Sequence, residues 1–141
     1  MTHFKCLERL FSLFIAKDWS KMNSAQKGSY GERLALRYCR KHLGFKLITK
    51  NWHFGKNEID LICLDGQVLV FVEVRLRHEA ALVSGVNSIN TKKKSAVRKC
   101  AKAYLKKLST QPPTYRFDVI SLAYGASKSF KIKHYPNVDL F

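Results

Sequence analysis

Two acidic residues, Asp60 and Glu73, interrupt runs otherwise built from Ile, Leu, Val and Phe in the stretch NEIDLICLDGQVLVFVEVRLR, positions 57–77. An ionised carboxylate withdrawn from water is costly unless a cation, a metal or hydrogen bonds compensate for it. The stretch reads as two strands joined by a turn at Asp65-Gly66, so a short hairpin brings the two acids together. Arg75 follows Glu73 on the same strand face, at a spacing of roughly 6.6 Å. Two hard oxygen donors that close repel each other unless they are protonated or bridged by a divalent cation such as Mg²⁺ or Mn²⁺. A cation held there activates water, stabilises a leaving oxygen and neutralises charge on a phosphodiester. The plainer reading pairs Glu73 with Arg75 or Arg77 and leaves Asp60 or Asp65 to serve the turn. Spacing alone leaves both readings open.

The elements that must position these residues follow from periodicity. From Ser29 the pattern is helical, with Leu34, Ala35, Tyr38, Cys39 and Leu43 on one face and Gly44 just past the end. Ser29 and Glu32 have capping-box spacing, which predicts that Glu32 bonds back to the helix start. Strands are predicted over 45–51, 57–64 and 67–77. In the third, Val68, Val70, Val72, Val74 and Leu76 share one face, while Leu69, Phe71, Glu73, Arg75 and Arg77 share the other. Both faces are apolar until Glu73, as in a central strand whose polar end carries a site. A second helix over 90–108 combines an apolar stripe of Val97, Cys100, Ala101, Tyr104 and Leu108 with a basic ridge. Lys94, Arg98, Lys102 and Lys106 form that ridge and are the candidate nucleic-acid contacts. Strands from 116 and from 130 complete the order α, β, β, β, α, β, β. The predicted fold class is α/β, a mixed central sheet flanked by helices, in one domain over 24–141 that follows an N-terminal extension over 1–23.

Composition narrows the partner. The 141 residues carry 26 Lys and Arg against 10 Asp and Glu, a formal net charge of +16, with 46% hydrophobic residues. Such a chain folds around a core, and its charge favours a polyanion, nucleic acid ahead of an anionic membrane surface. Cys6, Cys39, Cys63 and Cys100 are scattered and form no CxxC pair, which suits core thiols in a reducing, cytoplasmic setting. The five histidines show no metal spacing. No apolar run approaches the roughly 18 residues of a membrane span, so stable insertion is not expected. Phe4, Leu7, Leu10, Phe11 and Phe14 repeat at helical spacing, whereas Glu8 and Arg9 break up a secretory core. The extension is therefore read as an amphipathic helix that packs on the domain or reaches a partner; a translation start at Met22 is the other reading.

Gly31-Glu32 on the first helix, Asn51, Glu58-Ile-Asp60-Leu-Ile, Phe71-Val-Glu73-Val-Arg75-Leu-Arg77, the Lys-rich helix and Arg116-Phe-Asp118-Val-Ile together resemble the YraN family of bacterial proteins. The resemblance spans about residues 24–125. It implies a restriction-endonuclease-like fold with a PD-(D/E)xK type site, similar to archaeal Holliday-junction resolvases. It further implies that Asp60 and Glu73 are ligands for Mg (or Mn), that Arg75 stands where the motif has lysine, and that Glu32 matches the resolvases' additional helix glutamate. The chain departs from the family at Asn57, where glycine is usual, and at Arg75. Asparagine tolerates left-handed backbone, so the turn is expected to survive. Arginine keeps its proton and cannot act as a base. The expected function is hydrolysis of phosphodiester bonds in nucleic acid, DNA first and branched DNA among the candidates, with homodimer formation left open. The alternative is a nucleic-acid-binding module on a nuclease-like scaffold. Glu58 is expected to serve as a salt-bridge partner and Asp118 to pair with Arg116.

Overall fold

A computed structural model describes residues 13–14, 18–80, 89–125 and 129–140. A two-residue strand β1 (Leu13–Phe14) and a 3₁₀ turn (Trp19–Lys21) precede helix α1 (Ser24–His42). Then follow β2 (Lys46–Phe54), β3 (Asn57–Asp65), β4 (Val68–His78), helix α2 (Thr91–Lys107), β5 (Thr114–Tyr124) and β6 (Ser129–Tyr135). The strands form one mixed sheet in the order β1-β6-β5-β4-β3-β2. The strands β2, β3 and β4 make an antiparallel meander, whereas β4 and β5 run parallel from Val68↔Thr114 to His78↔Tyr124. Parallel neighbours require a crossover, and α2 supplies it.

Each face of the sheet is covered by one helix. On the α1 face, Leu34, Ala35, Tyr38 and Cys39 pack with Leu61, Val70, Val72, Ile120 and Leu122. On the α2 face, Val97, Cys100, Ala101 and Tyr104 pack with Ile59, Ile62, Leu69 and Phe71. The two faces of β4 divide between these cores as its alternation predicts, and the apolar stripe of α2 is the one read from spacing. Gly31 is buried on α1, where an added Cβ would lie 3.4 Å from Leu122 and 3.7 Å from Leu76. A glycine there lets the helix sit close on the sheet.

Two local expectations are corrected, and a third falls largely outside the described residues. Helix α1 begins at Ser24, not Ser29: Asn23 caps it by accepting from the Gln26 amide at 2.9 Å, and the Gln26 side chain accepts from the Asn23 amide at 2.9 Å. The capping box therefore lies at Asn23–Gln26, and Glu32 is left in mid-helix, free of a capping duty. At the β2–β3 turn the left-handed backbone falls on Gly55 (φ 61°), while Asn57 is already in β3 opposite Phe54. The helical repeat read over Phe4–Phe14 lies outside the described residues except for Leu13–Phe14, which pair with Phe130 and Ser129 as strand. Trp19, placed by the sequence in the extension, is buried against Tyr30, Tyr124 and Phe130.

Candidate functional site

Asp60 sits where the meander loses its regularity. The β3–β4 ladder ends at Leu61↔Val72, and the next amide along β4 on that side, Val74 N–H, donates to Asp60 Oδ2 at 2.7 Å. A side chain thus takes the place of the backbone carbonyl that a continuing ladder would supply. On the other side, β2 pairs Lys50 with Leu61 and then Trp52 with Ile59, skipping the Asn51–Asp60 step. Asn51 has left-handed backbone (φ 49°), one of two non-glycine residues described with positive φ. The consequence is visible in the cores: Leu61 packs on the α1 face and Ile59 on the α2 face, although simple alternation would place them together. A left-handed non-glycine residue beside a buried acid is the kind of local irregularity that clusters at functional sites.

Glu73 lies on the α2 face of β4, and Asp60 and Glu73 are each 6% exposed. Glu73 Oε1 is 3.0 Å from Lys93 Nζ and 3.6 Å from Arg75 Nη1. Its second oxygen, Oε2, is buried and has no hydrogen-bond partner among the described residues. Burial and then the charge of Glu73 push the Asp60 carboxyl up to about 8, against the pull of Val74 N–H and Lys93; Glu32 adds to the rise. Burial raises Glu73 as well, with Lys93 and Arg75 opposing it. Two buried acids are therefore crowded together and incompletely compensated by protein cations.

Glu32 approaches from α1, and its Oε2 accepts from Asn51 Nδ2 at 3.0 Å. The kinked residue of β2 thereby links Glu32 to the break at Asp60. Arg75 joins Glu73 as its place on the strand predicts. The basic ridge divides: Lys102 and Lys106 line a surface trough on α2, while Lys94 and Arg98 lie outside its lining. Glu58 faces His53 Nε2 at 3.6 Å. Asp118 belongs to a separate buried network, accepting from Arg116 Nε at 2.9 Å and from the Asn137 amide at 2.9 Å, with His134 Nε2 at 2.9 Å. Arg116 also reaches Asp65 at 2.9 Å. Asp118 is thus held as a structural anion, and these contacts bring its pKa below the ordinary value despite burial.

Lys93 is the residue that spacing alone did not single out. It stands one position off the ridge that begins at Lys94, in the first turn of α2, whose start is set by Asn90 accepting from the Lys93 amide at 2.9 Å. That first turn contains no acid and three successive lysines, Lys92 to Lys94. Cations are unfavourable at the positive end of a helix, so such a run signals a nearby anion. Glu73 supplies it.

Among the described residues, no three His, Cys, Asp or Glu side chains converge as a ready-made ligand set. The protein's share is two carboxylates, a number that suits Mg²⁺ completed by water and substrate oxygens. The orphaned Glu73 Oε2 and the raised acid pair both fit a hard divalent ion.

Comparison with known proteins places this architecture. Residues 31–122 match the model of a family described as "Uncharacterised protein family UPF0102". A UPF0102 protein of Dichelobacter nodosus is 45% identical over 100 residues, covering 71% of this chain and 79% of that protein. One from Carboxydothermus hydrogenoformans is 34% identical over 117 residues, covering 83% and 98%, and one from Legionella pneumophila (strain Philadelphia 1) is 38% identical over 110 residues, covering 77% and 92%. The match takes in α1 from Gly31, the kink at Asn51, both site carboxylates, α2 and most of β5, and the chain belongs to UPF0102, the YraN family.

Proposed function

We propose that the protein is a metal-dependent endonuclease that hydrolyses phosphodiester bonds in nucleic acid, DNA in the first instance. The observation that carries this reading is the buried, unpartnered Glu73 Oε2 beside Asp60, at the point where the β3–β4 ladder opens. Asp60 and Glu73 would hold Mg²⁺ or Mn²⁺, which when bound supplies Lewis acidity toward a phosphate oxygen and lowers the pKa of a bound water. Val74 N–H fixes the Asp60 carboxylate in the plane of the opening. Lys93 and Arg75 offer positive charge where a scissile phosphate would gain negative charge. Arg75 serves there as a fixed cation, because it keeps its proton. Asn51 holds Glu32 on the α1 side of the same opening, in position to orient water.

The test is a cleavage panel of branched and linear DNA in Mg²⁺, Mn²⁺ or EDTA, with Asp60→Asn and Glu73→Gln beside the wild type. Cleavage is expected with metal only, and each variant is expected to abolish it and to weaken divalent-ion binding in calorimetry while remaining folded. Unchanged ion binding in both variants would remove the site assignment. One feature favours a second reading, a binding module without useful cleavage: arginine stands at the position where the family's motif has lysine. A wild type that is inert with every metal, yet binds DNA as tightly as both variants, establishes that reading instead.

A further inference from the structure

The α2 face carries a second feature that the metal-site chemistry does not use. Trp52 and Phe54 project from β2 with rings nearly parallel, 5° apart in plane and 6.5 Å between centroids. Trp52 is anchored edge-on to Tyr104 at 5.3 Å and completes the α2 core. Phe54 does not: it is 52% exposed, beside the β2–β3 turn. The pair lines a trough of about 420 Å³ together with His53 and with Lys99, Lys102, Lys106 and Lys107. Lys107 Nζ lies 5.7 Å from the Trp52 ring centroid. A neighbouring depression of about 550 Å³, lined in part by Lys56, Asn57 and Lys92, shares Lys99 with it. Among the described residues, no acidic side chain lines either space. The line of lysines runs toward the first turn of α2, where Lys93 meets Glu73; from Lys93 to Lys106 the helix rises roughly 20 Å.

A large aromatic ring left in water at the edge of a cationic channel is poorly explained by packing and well explained by a ligand that is at once flat, apolar-faced and polyanionic. We infer that this trough binds a single strand of nucleic acid, with bases stacked on Phe54 and Trp52 and phosphates along Lys99, Lys102 and Lys106. A duplex keeps its base faces stacked within itself and cannot use the aromatic wall; an unpaired strand can. The substrate class is therefore a nucleic acid with an unpaired segment leading to the scissile phosphate. Base stacking and phosphate contacts are available to single-stranded DNA and RNA alike, so the trough is expected to accept either sugar. The inference rests on the hydrolase reading only for the role of the bound strand.

The experiment measures binding by fluorescence anisotropy in EDTA, where cleavage is absent, with labelled 20-mers of thymidine and of uridine and a 20-base-pair DNA duplex. Phe54→Ala changes a half-exposed side chain and leaves the core intact. It is expected to weaken both single strands about tenfold, within the range for removal of one base–aromatic stack, and to change duplex affinity less than twofold. As an independent readout, Trp19→Phe leaves Trp52 as the sole tryptophan, and its fluorescence is expected to be quenched by the single strands and not by the duplex. Equal weakening on duplex and single strand, no weakening on either, or an effect confined to one of the two homopolymers would overturn the proposal. Because no hydrolysis is involved, failure of the cleavage panel leaves this measurement intact, and the reverse also holds.

Discussion

At the level of single residues, Asp60, Glu73, Lys93 and Arg75 form a small electrostatic balance in which the negative side is under-compensated. Lys93 and Arg75 both address Glu73 Oε1, and neither satisfies Oε2. The raised Asp60 carboxyl makes this balance measurable. A carboxyl whose pKa is higher in the folded chain contributes stability that is fully present below its unfolded value, 3.8, and is lost as pH rises through its folded value of about 8. In EDTA the Tm of the wild type is expected to fall more steeply across that window than the Tm of Asp60→Asn, and excess Mg²⁺ to flatten the difference; parallel profiles in EDTA refute the role of burial. Arg75 is tested by single-turnover cleavage. Arg75→Lys is expected to retain most activity because a cation persists, and Arg75→Ala to lose about 10²-fold, the scale of one electrostatic stabiliser removed. An Ala variant as active as the wild type would leave Lys93 as the cation that matters.

The elements place these residues by departing from regularity at a few points. The meander opens where the β3–β4 ladder stops and where Asn51 turns left-handed, and that opening holds Asp60 between the two helices. The crossover helix α2 starts at Asn90 and carries Lys93 to the polar end of β4. One step along the parallel register from Glu73, where β5 places it opposite Val72, Asp118 ties β5 to β6 and the chain beyond it through Arg116, His134 and the Asn137 amide. Its side chain is fully buried. Removing one member of a buried charge network leaves the others unpaired, which costs about 3–5 kcal/mol. Asp118→Ala is expected to lower stability to urea by that amount with no change in divalent-ion affinity. A large change in ion binding without loss of stability would move Asp118 into the site.

Over the whole molecule the dominant quantity is the net charge of +16. Such a charge attracts any polyanion, so affinity by itself does not identify the binding surface; the salt dependence of defined variants does. Replacing Lys102 and Lys106 by glutamine is expected to reduce the slope of log affinity against log salt on single-stranded DNA by roughly 0.7 for each phosphate that is no longer neutralised. The same change at Lys94 and Arg98, which lie outside the trough and are only partly exposed, is expected to move it less. Equal shifts from the two pairs would make the helix a uniformly charged surface with no privileged track. No helix among the described residues is long and apolar enough to cross a membrane.

What could be read without coordinates was short in range. Alternation along β4 divided its residues correctly between two cores, spacing along α2 identified its buried stripe, and Gly44 marked the end of α1 with its positive φ of 69°. These patterns are written by local geometry, a period of two for strands and 3.6 for helices, and survive in the sequence because each buried face must be apolar. The same logic made Asp60 and Glu73 conspicuous, since charge in an apolar run demands compensation. Only the tertiary structure decided what compensates them. Lys93 meets Glu73 from twenty positions away, and Asn51 meets Glu32 across nineteen. Trp19 joins the core from outside the predicted domain boundary, and Trp52 packs into the α2 core while Phe54, two residues along the same strand, is left exposed. Such contacts depend on how a crossover helix is laid across a twisted sheet, a global arrangement that no local period encodes, and at Asp60 the chain breaks the very period by which the rest was read.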